Sequence, residues 1–176
     1  KKYFPKAEIT NISNPIPFNI SKIKKNPQKK KFVYFGRIHP HKNLDILIEA
    51  FLSAKLDTSW SLDIYGIRDD ENYFNKLKKL IGSNNQIKIK NPIFNNDKQQ
   101  IMKDAWANVL ISKSEVVSLS ILESSAYGLP SLINKNIEVL GLEDSVISTS
   151  LSLKSIKNKI LEISKWSYEK RISVGN

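Results

Sequence analysis

Short apolar runs alternate along this chain with longer stretches whose apolar residues recur every three or four positions, and that alternation constrains the fold more than any other feature. It is the pattern of βαβ units, in which parallel strands buried on both faces are joined by helices. The first unit is Phe32-Val33-Tyr34-Phe35, ended by Gly36, then a polar loop to Asn43 and Leu44, Leu47, Ile48 and Phe51 at helical spacing. The second is Ser61-Leu62-Asp63-Ile64-Tyr65 with Gly66, followed by a helix from Asp70 whose Phe74, Leu77, Leu80 and Ile81 form a buried stripe that Gly82 stops. Gln86 to Lys90 reads as a short strand, Asn96 to Ala105 as helix, Asn108 to Ile111 as a buried strand, and Leu119 to Tyr127 as a helix closed by Gly128. Ser131 to Ile133 and Val146 to Ser148 are the last strands, and Ser152 to Trp166 is a final amphipathic helix. About six strands and five or six helices, wound by right-handed crossovers, make a Rossmann-like three-layer α/β/α domain around a mostly parallel sheet.

Residues 1–30 do not share this rhythm. Asn14-Pro15-Ile16-Pro17 cannot be helical, and Lys22 to Lys31 is a basic run broken by Pro27, so this part is expected to be an interdomain linker or edge segment before a domain spanning 31–176. A chain of 176 residues can bury one sizeable core. It has no Cys and two His, which leaves no thiolate chemistry and a poor case for a bound metal. No run reaches the ~20 apolar residues of a membrane span, and Lys1 to Pro5 lack the apolar stretch of a secretion signal, so a soluble cytoplasmic protein is expected. The net charge of +11 comes almost entirely from Lys, with Arg only at Arg37, Arg68 and Arg171. Base readout relies on bidentate Arg and stacked aromatics, which argues against a nucleic-acid partner. The surplus charge suits phosphorylated substrates, or anionic head groups at the inner face of a membrane as a peripheral association.

In an open parallel sheet, ligands bind beyond the carboxyl ends of the strands. Gly36 is expected to let the backbone turn there, and Arg37 follows with a planar fork that matches two phosphate oxygens; Lys42 adds a second charge. Gly66, Ile93 and the stretch Ser112 to Glu115 end other strands at the same rim. Glu115 and Glu123 have seven residues between them, the first before the Leu119–Tyr127 helix and the second within it, and both are expected to face one pocket as acceptors for sugar hydroxyls. The helix start at Ser118 and Leu119 offers free N–H groups to an anion.

These pieces stand in a familiar order: Phe35-Gly36-Arg37, Lys42-Asn43-Leu44-Asp45, Leu47-Ile48-Glu49-Ala50-Phe51, Leu62-Asp63-Ile64-Tyr65-Gly66, Ser114-Glu115 with seven residues to Glu123, and Ala126-Tyr127-Gly128-Leu129-Pro130. In this the chain resembles the C-terminal, donor-binding half of GT-B-fold retaining glycosyltransferases of family 4. The resemblance implies that Arg37 and Lys42 hold the donor diphosphate and stabilise the leaving group, that Glu115 contacts the transferred sugar and Glu123 the ribose, and that backbone N–H groups of Ser118 and Leu119 meet the phosphates. It places Gly66 and Ile93 near the base. It further implies a nucleotide sugar as donor, no metal and no cofactor, and an N-terminal acceptor domain of the same protein that is absent from this chain. The context suggested is bacterial surface polysaccharide or lipid-linked glycan assembly. Val116-Val117-Ser118 departs from the family, which favours Gly or a small residue, an aromatic and Gly in this donor loop. That departure keeps open a degenerate domain that binds a nucleotide sugar without catalysis, and a GT-B-fold epimerase is the nearest enzymatic alternative. The Asp69-Asp70-Glu71 cluster reads as a helix start rather than a metal site.

Overall fold

The computed structural model describes residues 29–115, 118–139 and 141–175; the expected linker, apart from Lys29 and Lys30, and the loop residues Val116 and Val117 lie outside them. Strands β1 (Lys31–Phe35), β2 (Ser61–Tyr65), β3 (Ile87–Lys90), β4 (Ala107–Leu110), β5 (Ser131–Asn134) and β6 (Val146–Thr149) form one sheet in the order β3-β2-β1-β4-β5-β6. Every neighbouring pair is parallel, with Phe32 opposite Leu62 on one side and Ala107 on the other. The expected Rossmann-like α/β architecture is therefore present. The strand order reverses between β1 and β4, and a crevice opens at such a switch point beyond the strands' carboxyl ends.

Helices α1 (Leu44–Ala54), α2 (Glu71–Ile81), α3 (Asn95–Asp104), α4 (Leu119–Ala126), α5 (Leu153–Ser164) and α6 (Tyr168–Gly175) complete the domain. Alternation along the strands divides the core. Phe32, Tyr34, Leu62 and Ile64 pack with α1, Leu77 of α2 and Ile156, Ile160 and Ile163 of α5, whereas Val33, Phe35 and Tyr65 meet Met102 of α3 and Tyr127 at the end of α4. Asp70 caps α2 by accepting the Tyr73 N–H at 2.8 Å, and Gly82 ends that helix at φ 55°, a conformation L-residues avoid. The buried stripe of α2 differs from the expected one: Tyr73 joins Phe74 and Leu77, while Leu80 and Ile81 are only partly covered at the open edge beside β3.

α6 has no counterpart in the apolar pattern, because the side chain that anchors it is charged. Arg171 is 1% exposed and has no carboxylate among its hydrogen-bond partners. Its guanidinium donates to the carbonyls of Ala105 (3.1 Å), Trp106 (3.1 Å) and Gly128 (2.6 Å). Ala105 caps the end of α3 and Gly128 follows the cap of α4, so one cation satisfies carbonyls at the negative ends of two helices. Burial draws its pKa down to about 10, with Tyr168 acting in the opposite sense.

A second buried charge, on β2, ties that strand to its neighbours β1 and β3. Asp63 accepts from Lys31 at 2.6 Å, Lys90 at 2.7 Å and the Tyr65 hydroxyl at 3.1 Å. Burial alone would raise the Asp63 pKa, but the hydrogen bonds from the two lysines outweigh it and hold the carboxyl below its ordinary value. A depressed carboxyl contributes stability that is complete above the unfolded-state pKa and lost as pH falls through the lower folded value. The domain is therefore expected to weaken on acidification below about pH 4, and Asp63→Asn to flatten that acid limb while lowering stability at neutral pH, in urea denaturation series at stepped pH.

Candidate functional site

Backbone geometry at the ends of β1 and β2 sets one wall of the cleft. Parallel pairing continues past the strands: the Ile38 N–H donates to Ile67 O at 2.8 Å and the Asp69 N–H to Ile38 O at 3.3 Å. The two chains approach so closely that a Cβ on Gly66 would lie 2.1 Å from the Gly36 carbonyl oxygen. Gly36 itself is not in the left-handed region, contrary to the expected sharp turn. It is glycine because a Cβ there would stand 2.6 Å from the Tyr34 hydroxyl, which bonds the Arg37 carbonyl at 2.8 Å. Gly66→Ala must push backbone apart and is expected to cost about 2 kcal/mol, read as a lower urea midpoint with an unchanged slope.

The same zipper brings Arg37 to Asp69, at 2.9 Å. The acidic run read as one helix start thus divides its labour: Asp70 caps α2, and Asp69 holds a guanidinium that remains 64% exposed at the mouth of the cleft.

The opposite wall comes from the segment leaving β4. A 3-10 turn at Pro40–Lys42 is pinned to that segment at two points. The Lys113 N–H donates to His41 O at 3.0 Å, and the Asn43 amide donates to Ile111 O at 2.9 Å. Asn43 takes φ 51°, which asparagine tolerates better than most residues, and this reverses the chain into α1. Lys42 is thereby placed against Glu115, Nζ to Oε1 at 2.5 Å, both side chains about 15% exposed. The Glu115 charge is felt below the cleft, where burial first and that carboxylate second push the Tyr34 hydroxyl above the ordinary tyrosine range.

Between these walls is a cleft of about 360 Å³. It brings together Gly36, Arg37, Lys42, Gly66, Ile93, Glu115, Ser118 and Leu119 of the residues expected from the sequence. Ser118 makes no side-chain cap on α4, so first-turn N–H groups of that helix are not taken up by it. The floor is aromatic, with Phe35 and Tyr65 stacked at 5.4 Å and 15°. Ile67, Phe94 and Leu119, each more than half exposed, form an apolar rim.

Glu123 is the departure. It lines a neighbouring hollow with Asn95, Met102 and Tyr127, not the cleft, because its place two-thirds along α4 points it at α3. There it pairs with Lys98, whose amine lies 5.3 Å from the Phe35 ring centre and lines both spaces. Glu115 and Glu123 therefore line adjoining hollows that have Lys98 in common. Lys98, Phe35, Tyr65 and Phe94 are among the lining residues that sequence reading passed over. The available signal was positional: α3 starts at the carboxyl end of β3, so polar side chains in its first turn face the same rim. Val117, expected in the donor loop, lies outside the described residues.

Residues 15–149, well over half of the chain, match the family model described as glycosyl transferases group 1. The chain belongs to this family. Among solved structures, this member of the group 1 family is similar to HepE of Anabaena, in complex with UDP and glucose, at TM-score 0.75 and 19% identity over 90% of this chain and 48% of that one. It is likewise similar to a mutant TarM of S. aureus in complex with UDP, Fondaparinux and alpha-GlcNAc-glycerol, at TM-score 0.76 and 21% identity over 99% of this chain and 36% of the other. A third is the pneumococcal O-GlcNAc transferase GtfA in complex with UDP and GlcNAc, at TM-score 0.66, 20% identity, and 87% and 32% coverage. At such identities the likeness is one of fold, and the chain spans half or less of each of these proteins. No curated protein matches it. No helix among the described residues is long and apolar enough to cross a membrane.

Proposed function

We propose that this chain is the donor-binding domain of a retaining family 4 glycosyltransferase, taking a nucleoside-diphosphate sugar and transferring the sugar to a glycan or lipid-linked acceptor held by an N-terminal domain of the same protein. The observation that carries the reading is the convergence of Arg37, Lys42, Glu115 and the start of α4 on one cleft at the β1/β4 switch point. Two cations and a helix N-terminus suit a diphosphate, the carboxylate suits sugar hydroxyls, and the apolar rim with Ile93 suits a base. Crystallisation of HepE, TarM and GtfA with UDP supports a uridine nucleotide as the first candidate.

In this reading Lys42 and Arg37 carry the charge that develops on the leaving diphosphate, so neither a metal nor a cofactor is required. In this reading Glu123, in the hollow that adjoins the cleft at Lys98, takes the ribose. We place the complete protein in the cytoplasm, working on surface polysaccharide at the inner face of the membrane, where the +11 charge of this chain favours anionic lipid.

The test is a thermal-shift series of the chain with UDP-, GDP- and ADP-sugars. A donor at a hundred times its dissociation constant adds about 2.7 kcal/mol of stability and raises the melting temperature by several degrees. A flat response to all three classes overturns the reading.

A further inference from the structure

We propose that Glu115 holds the place of the donor phosphate in the free protein, so that a nucleoside diphosphate binds by exchanging anions on Lys42 and in doing so releases the Glu115 carboxylate toward the sugar. The inference deepens the donor-site reading and rests on it.

Each cation at the cleft already has a carboxylate: Arg37 with Asp69, Lys42 with Glu115 and Lys98 with Glu123. These pairs cancel locally, so a chain of net charge +11 presents little net charge at the one place where a diphosphate would be held. Of the three, the Lys42–Glu115 pair is the most shielded from water, at 16% and 15% exposure against 64% and 37% for Arg37–Asp69. A shielded ammonium is costly to leave bare, so Lys42 keeps one anion until another arrives. Two anions at the same amine would repel each other, so phosphate and carboxylate alternate there rather than share.

The exchange orders recognition. While Glu115 is paired with Lys42 at 2.5 Å, the ammonium and not a sugar hydroxyl sets the direction of that carboxylate. Once phosphate has taken the amine, the carboxylate is an unoccupied acceptor beside the position of the transferred sugar. A nucleoside or a free sugar has no anion to offer and leaves the pair closed. Glu115 thus opposes the nucleotide part of the donor and favours the sugar part, which makes it a determinant of intact donor over spent nucleotide.

Titration calorimetry of UDP, uridine and UDP-glucose into the chain and into Glu115→Gln tests this. Glutamine preserves size and an acceptor oxygen but removes the competing charge. The expected result is UDP binding about fivefold or more tighter in the variant, as the release of one partly shielded ion pair implies, with uridine unchanged and UDP-glucose gaining less than UDP. Glu115→Asp, one methylene shorter, should strengthen UDP in the same direction by less, and supplies the measurement if the glutamine variant does not fold. UDP binding that is unchanged or weaker in a variant folded like the parent rejects the exchange while leaving the donor site intact. Failure of the unsubstituted chain to bind UDP, GDP or ADP rejects the donor site itself, and the exchange with it.

Discussion

Lys42→Ala should lower sugar transfer by the complete enzyme about 10²–10³-fold, the loss found when one preorganised donor to a developing oxyanion is removed. The structure argues for the upper part of that range. Lys42 is largely shielded from water, where its charge is weakly screened, and its removal leaves Glu115 without its cation and facing the phosphate. Arg37→Ala should cost nearer 10²-fold, since that guanidinium is exposed and partly committed to Asp69. Because both cations hold the diphosphate of the bound donor and also meet the charge that builds as its bond breaks, kcat should fall and the donor KM should rise, so that kcat/KM falls by more than kcat. Steady-state kinetics on the full-length protein decide the matter. A Lys42→Ala enzyme within a few-fold of normal turnover would show that the diphosphate lies elsewhere, and anomeric analysis of the product separates retention from inversion.

Arg171→Met should be strongly destabilising, although the residue lies away from the cleft. Methionine fills much of the same volume but makes none of the three hydrogen bonds, leaving the carbonyls of Ala105, Trp106 and Gly128 buried and unpartnered. Bonds to a charged group are each worth about 1.5–3 kcal/mol, and orphaned acceptors carry a desolvation cost, so a loss of about 3 kcal/mol or more is expected. For a domain of this size that is a fall in melting temperature of roughly 6–12 °C, measurable by calorimetry. Arg171→Lys should recover only part of it, because a point donor cannot span three carbonyls as the planar fork does. Detachment of α6, which also sets Gly175 against the Gly128 carbonyl, should accompany the loss and appear as faster amide exchange there.

The two predictions test parts of the protein that were unequally legible. Strand and helix periods were readable because each is a local property: an apolar run such as Phe32 to Phe35, or the 44, 47, 48, 51 spacing, reports burial without reference to anything distant. From that alone the carboxyl-end rim followed, and with it Gly36, Arg37, Lys42, Gly66, Ile93 and Glu115. α6 was not readable, because its anchor is a buried cation and charge is ordinarily a sign of exposure. The partner of Glu123, Lys98, was not readable for a related reason: sequence spacing locates a residue along a helix but does not say which neighbour its face meets.

What the amino-acid order determined by itself is the succession of strands and helices, hence a parallel sheet whose polar strand ends collect at one rim. What only the tertiary structure decided is which charge each cation faces there. Arg37 and Asp69 are separated by 32 residues, Lys42 and Glu115 by 73, and Lys98 and Glu123 by 25. Ion pairing depends on distances of a few ångströms between side chains brought together by different crossovers, and no local pattern encodes such distances; the state of the cleft, three cations each already holding an anion, exists only in the folded chain.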